Sequence, residues 1–277
     1  MSETYKMLQM RLLILIIVLL AWVSQVRAQS EVSVTYIANE GVLISAGEDQ
    51  VLIDALHEPY RPAYLPTPEA IKAGILNAEK PFDSVDFVLV SHVHRDHFDA
   101  RLVSELLKQN SEPVLFSSNQ IVDSVNVHTG ELIDASRMLR IPYEDGKMET
   151  ASRSGVTVKA GKVAHGSARF AWIQNLGYVV DMGGLKFLHI GDPGFGRPDL
   201  VRLLADVDQI DVAILPSWFI TEAGGRKVID EVIKPDHIIA VHVSPNDKSV
   251  VERAARRHYS GSHVFTNPMD EVRFASQ

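Results

Sequence analysis

Short apolar runs of strand composition alternate with helical stretches along most of this chain. Val32 to Ile37, Val42 to Ser45 and Val51 to Ile53 are β-rich runs punctuated by Asn39, Gly41 and Gly47, which predicts an antiparallel meander. Proline-bounded segments between Pro59 and Pro81 enclose one helical stretch, Glu69 to Asn77, and Val85 to Val90 then reads as a fully buried strand. Ala100 to Lys108 places apolar residues at helical spacing behind Asp99, a side chain suited to an N-cap, and Val114 to Phe116 returns to strand.

Beyond Pro142 the order repeats. Strands are predicted at Val156 to Lys162, Leu176 to Met182 and Leu185 to Ile190, followed by alternating helix and strand through Leu200, Val212, Val228, Ile238, Val250 and Val264. Two β-rich halves each end in α/β units, and no low-complexity linker or internal repeat separates them. The expectation is one α+β domain over residues 29–277, built as an αβ/βα four-layer sandwich of two mixed β-sheets flanked by helices.

The first residues change the picture of where the chain works. Lys6 and Arg11 precede an apolar run from Leu12 to Val23 and a small-residue exit at Val26-Arg27-Ala28, the pattern of a signal peptide over residues 1–28 with cleavage after Ala28. The run is shorter than the roughly 20 residues that cross a bilayer as a helix, so a retained anchor is the lesser reading. A periplasmic or secreted protein is expected, in contact with membrane only during export. With no cysteine, its stability cannot come from disulfides. The 277 residues carry 27 Lys+Arg against 35 Asp+Glu, and a net charge of -8 disfavours nucleic acid as a partner and leaves a small molecule as the expected substrate.

The chemistry concentrates in Ser91-His92-Val93-His94-Arg95-Asp96-His97, directly after the predicted buried strand. Residues two apart in an extended strand end point the same way, so His92 and His94 can grip one ion together. Asp96 and His97 fall in the following turn, which can aim them at a second ion beside the first. Single histidines or acids in loops mean little, but three imidazoles and a carboxylate at this density favour a metal site over a solvated turn. His165, Asp192 and His242 each end an apolar strand as well; taken singly, each is compatible with a core histidine or a turn acid.

His92 to His97 resembles the HxHxDH signature of the metallo-β-lactamase superfamily. The resemblance continues through Lys162-Val163-Ala164-His165-Gly166, Leu188-His189-Ile190-Gly191-Asp192 and Ala240-Val241-His242. It implies that His92, His94 and His165 hold one metal, that Asp96, His97 and His242 hold the other, and that Asp192 bridges both. Strand alternation turns His189 away from that site. Asp54 resembles the family's strand-end acid that steadies a metal-bound imidazole, although a plain turn acid reads almost as well. Glu40, His57, Tyr143 and Trp218 are candidate pocket residues, and Leu56 to Pro81 and Ser217 to Lys227 are candidate specificity loops.

The resemblance implies a hydrolase with two divalent ions, best suited to Zn2+ with Mn2+ or Fe2+ also compatible. Such a pair would activate a shared water, deliver hydroxide and polarise the substrate, while Asp96 or a metal-bound water handles protons. The expected substrates are a small ester, lactone or phosphodiester. Zinc β-lactamases share export and HxHxDH but usually lack the bridging aspartate, so β-lactam hydrolysis ranks behind. An exported metal-binding protein without catalysis is the non-enzymatic alternative.

Overall fold

The computed structural model describes residues 31–129 and 133–275; the predicted signal segment lies outside the described residues. Within them, fourteen strands form two seven-stranded sheets. The first contains β1 (Glu31–Ala38), β2 (Gly41–Ala46), β3 (Asp49–Ile53), β4 (Val85–Val90), β5 (Val114–Ser118), β6 (Met138–Ile141) and the returning β14 (Glu271–Ala275). The second contains β7 (Met148–Arg153), β8 (Val156–Lys162), β9 (Leu176–Met182), β10 (Leu185–His189), β11 (Val212–Pro216), β12 (His237–Val241) and β13 (His263–Val264). Both sheets are mixed: β1–β3 and β7–β10 pair antiparallel, whereas β3–β6 and β10–β13 pair parallel.

Side-chain alternation makes the layers. Val42, Ile44, Val51, Ile53, Phe87 and Leu89 face the second sheet and meet Val158, Tyr178, Val180, Phe187, Ile214 and Ile239 in the central core. Their neighbours Leu43, Leu52, Val88 and Val90 turn outward, where helices Glu69–Leu76 (α1), Ala100–Gln109 (α2) and Asn119–Thr129 (α3) cover them. On the other outer face Leu188, Ile190, Ala213 and Ala240 lie under Arg197–Leu203 (α4), Trp218–Thr221 (α5), Ala223–Val228 (α6) and Lys248–His258 (α7). The result is the four-layer arrangement expected from the two α/β-terminated halves. Because β4 is buried on both faces, its sequence is almost wholly apolar.

Asp99 caps α2 as expected, its carboxylate accepting from the Arg101 and Leu102 amides. Helix α3 differs from its local propensity: NQIVDSVNVHT is rich in β-branched residues, and packing of Ile121, Val122 and Val125 on the first sheet decides its state. Strand β14 pairs with β1 across the whole length of the chain, a partner no local pattern can announce. Among the described residues no helix is long and apolar enough to cross a membrane.

The C-terminal ends of β3, β4, β8, β10 and β12 and the β1–β2 turn open at one rim of the sandwich, as the parallel and antiparallel pairings require. Every metal-ligand candidate in the sequence follows one of those ends.

Candidate metal centre

The rim brings seven side chains together in two groups. His92, His94, His165 and Asp192 each offer a ligand atom within 4.8 Å of one another, and Asp96, His97 and His242 do the same. Asp192 stands between them. Its Oδ2 lies 3.9 Å from Nε2 of both His92 and His165, while its Oδ1 lies 3.4 Å from His97 Nε2 and 3.7 Å from His242 Nε2. Asp96 Oδ2 completes the second group at 3.5 Å from His242 Nε2 and 3.7 Å from His97 Nε2. Two donors each about 2.1 Å from one tetrahedral ion stand roughly 3.4 Å apart, so these separations fit a shared cation.

Backbone geometry sets the aim of these groups. His242, Asp54 and Gly191 all occupy the left-handed region, with φ of 53°, 45° and 61°. The His242 amide donates to the Asn39 carbonyl, which ties the end of β12 to the β1–β2 turn. Asn39 also donates through Nδ2 to the Asp96 carbonyl, 2.9 Å away. Asn175 holds the opposite side: its Nδ2 donates to the Val163 and Ile190 carbonyls, and its Oδ1 accepts the Asp192 amide. The Gly166 amide donates to the Asp192 carbonyl, fixing the loops that bear His165 and Asp192 against each other.

Asp54 lies beneath the cluster. Its Oδ1 accepts the Ser91 amide at 2.7 Å, and its Oδ2 accepts the Ser91 hydroxyl at 2.5 Å and faces His97 Nδ1 at 2.9 Å. Those contacts orient His97 so that Nε2 points at Asp192 and Asp96. Glu40 Oε2 also faces His97 Nδ1, 3.4 Å away.

Charge and burial are finely opposed here. Burial pushes the His92 imidazole well below its ordinary value, with the charge of His97 adding to the effect. Burial, which would raise the Asp192 carboxyl, is outweighed by the neighbouring His242 and His97 imidazoles, and the group is held well below the usual carboxylate range. His97 moves the other way: burial is overcome by Asp192 and Asp54, and the ring is held well above its ordinary value. Nε2 of His97, His165 and His242 and Oδ1 of Asp192 are buried with no hydrogen-bond partner among the described residues. Orphaned polar atoms gathered in two such groups are costly unless cations satisfy them, and the donors present are the imidazole and carboxylate types that bind them.

The remaining expectations separate. His189 stands outside both groups, its Nδ1 accepting the Gly191 amide and its Nε2 lying 3.2 Å from the Glu40 carbonyl. Trp218 does flank the centre, its ring 5.1 Å from that of His242, and donates through Nε1 to the Pro193 carbonyl. Glu40 and His57 are sealed below the rim, at 0% and 1% exposure, and line no open pocket. Tyr143 packs against the central core with Lys162 over its ring and belongs to neither ligand group. The two expected specificity loops contribute Tyr64, edge-on to His242 at 5.3 Å, and Trp218. A third contributor, Phe170, packs against His94 and His165 from the loop after β8. Its sequence context, Ser167-Ala168-Arg169-Phe170, carries no ligand spacing that could have marked it.

His57 supports a separate expectation. Burial, with His97 nearby, pushes its pKa down to about 4, from an ordinary 6.5. The unfolded chain therefore binds this proton more readily, and stability falls as pH drops from about 6.5 toward 4. Two and a half pKa units correspond to about 3 kcal/mol. In chelator-treated protein, His57→Phe should lessen the slope of melting temperature against pH across that window, with His92 and His165 contributing the remainder; an unchanged slope would show that His57 does not contribute.

Comparison with known proteins adds the family. Residues 49–258 match the β-lactamase superfamily domain family. A UPF0173 metal-dependent hydrolase of Natranaerobius thermophilus is 24% identical over 212 residues, covering 75% of this chain and 81% of that protein. Among solved structures, one described as a possible metal-dependent hydrolase from Veillonella parvula superposes with a TM-score of 0.64 at 18% identity, covering 88% of this chain and 99% of the other. A metallo-β-lactamase fold protein from Bacillus subtilis gives 0.59 at 13% identity, covering 89% and 100%. At such identities these two likenesses speak for the fold alone. The family match runs across most of the chain, from the start of β3 to the end of α7, and takes in the whole rim from Asp54 to His242; the chain belongs to the metallo-β-lactamase superfamily.

Proposed function

We propose that this protein is a binuclear metal-dependent hydrolase that cleaves a small ester, lactone or phosphodiester. The observation that carries this reading is the division of Asp192, with one oxygen toward His92 and His165 and the other toward His97 and His242. In that reading His92, His94 and His165 hold one cation, Asp96, His97 and His242 the second, and Asp192 both. Two divalent cations so placed would supply an activated water near neutral pH and polarise the substrate oxygen under attack. The metal-dependent relatives support the hydrolytic assignment, and the nitrogen and oxygen donor set favours zinc over manganese or iron.

The chain's own residues supply position and proton handling. Asp96 is buried within the cluster beside His97 and His242, where its carboxylate can take a proton and return it to the leaving group. Asp54 keeps the His97 Nδ1 proton and so directs its Nε2 outward. Residues 1–28 direct export, and the mature enzyme works in the periplasm or outside the cell.

Elemental analysis of the mature protein, paired with turnover of a chromogenic ester, lactone, phosphodiester and cephalosporin before and after chelation, tests this. The expected result is about two metals per chain and chelator-sensitive turnover of one of the first three. Turnover of the cephalosporin alone would move the assignment to a β-lactamase. Stoichiometric metal without any turnover would favour a binding protein. Since the five ligating imidazoles must be neutral, retained metal should fall as pH drops through the imidazole range.

A further inference from the structure

The histidine cluster is flanked by the rings of Phe170, Tyr64 and Trp218, and two rings on this rim, Phe170 and Tyr60, carry guanidinium groups. On one flank Phe170 packs against His94 and His165, with ring centroids 4.6 and 5.0 Å apart, and the Arg169 guanidinium sits 4.3 Å above Phe170. On the other flank Tyr64 meets His242, and Tyr60 stacks on Tyr64 at 6.1 Å with the rings nearly parallel. Arg61 and Arg95 lie over Tyr60 at 4.9 and 5.4 Å. Tyr60, Arg61 and Tyr64 also line a recess of about 390 Å³ beside the cluster.

The guanidinium groups of these three arginines make no ion pair and no hydrogen bond among the described residues. The chain has acids in excess, and Arg101, Arg140, Arg153, Arg197, Arg202 and Arg273 all find carboxylate partners. Stacking on a ring leaves the guanidinium edge and its N–H donors free, pre-oriented for a planar oxyanion. The rings next to the histidines offer flat apolar walls between those donors and the cluster.

We propose that Arg61, Arg95 and Arg169 select an anionic substrate, one bearing a carboxylate or phosphate away from the scissile bond and a flat or apolar segment between the two. This inference rests on the hydrolase reading for the bond cleaved, but the anion selection is a property of the rim and can be measured separately. Arg61 and Arg169 stand on opposite flanks and precede or follow no ligand directly, so they are the residues to change.

Two measurements are made on zinc-loaded wild type and on the Arg61→Gln/Arg169→Gln double variant, with metal content and melting temperature checked to be equal. The first compares mono-4-nitrophenyl glutarate with neutral 4-nitrophenyl pentanoate. Wild type is expected to favour the anionic ester in kcat/KM by tenfold or more. The double variant should lose that preference through a rise in KM of at least tenfold, with kcat and the neutral ester little changed and the ionic-strength dependence flattened. The second is calorimetric binding of benzoate, phenylphosphonate and neutral benzamide. Anion affinity should fall tenfold or more in the double variant and benzamide affinity should stay constant. Whether benzoate or phenylphosphonate loses more tells a carboxylate-reading rim from a phosphate-reading one. Anion affinity equal in wild type and variant overturns the proposal, even if esters are hydrolysed. Arginine-dependent anion binding with no ester turnover would leave it standing and remove the hydrolytic reading instead.

Discussion

Asp192→Ala is expected to reduce turnover on the order of 10³-fold and to take metal content from about two per chain to one or none. Loss of an outer partner of a metal-bound imidazole typically costs about 10–100-fold, and Asp192 faces both histidine groups directly, so its removal should exceed that. The fold should survive, because the backbone of Asp192 is held independently of its carboxylate: its amide donates to Asn175 Oδ1 and its carbonyl accepts the Gly166 amide. Elemental analysis, circular dichroism and steady-state kinetics on one preparation separate the effects. Two retained metals with turnover within threefold of wild type would remove the bridging assignment.

Gly191→Val is expected to have the largest effect on stability. Gly191 sits at φ +61°, and a Cβ there would lie 2.3 Å from Asn175 Oδ1 and 2.8 Å from Ser91 Cβ. A β-branched residue meets a double penalty, from the left-handed backbone and from overpacking against a hydrogen-bonded amide that cannot easily move. Asn175 joins Val163, Ile190 and Asp192, so displacing it disturbs two ligand-bearing loops at once. A cost of about 3–5 kcal/mol should lower the melting temperature by about 10 °C in a domain of this size, and bound metal should be lost with it. Gly47→Ala is the control: Gly47 has a similar φ of +64° but nothing within 4 Å of the added carbon, so only the backbone cost of about 1 kcal/mol applies. A melting temperature for Gly191→Val close to that of the control would show that Asn175 and Ser91 yield without cost.

Much of this protein is written in its local pattern. The run Val85 to Val90 reads as a strand buried on both faces because it is one, and the alternation in Val42 to Ile53 assigns each side chain to the central or the outer core. His92, His94, Asp96 and His97 stand out because side chains that enter two adjacent groups are most simply supplied by one strand end and its turn. His165, Asp192 and His242 were legible as strand-end residues, and the resemblance grouped them. Helix α3 and strand β14 were not legible: the first contradicts its residues' intrinsic preference, and the second depends on a partner more than 230 residues away.

Tertiary structure alone decided the rest. Which oxygen of Asp192 faces which histidines follows from how the two sheets stack, not from spacing along either. That Glu40 and His57 lie sealed beneath the cluster while Tyr64, Trp218 and Phe170 flank it depends on where three separate loops come to rest on the rim. Arg61, Arg95 and Arg169 likewise belong to two loops and the metal motif, and only their shared distance from the ring faces marks them as a set. Periodicity records which face of an element is buried, because that depends on the element itself; contacts between loops depend on the placement of every layer between them, and no local stretch of sequence carries that information.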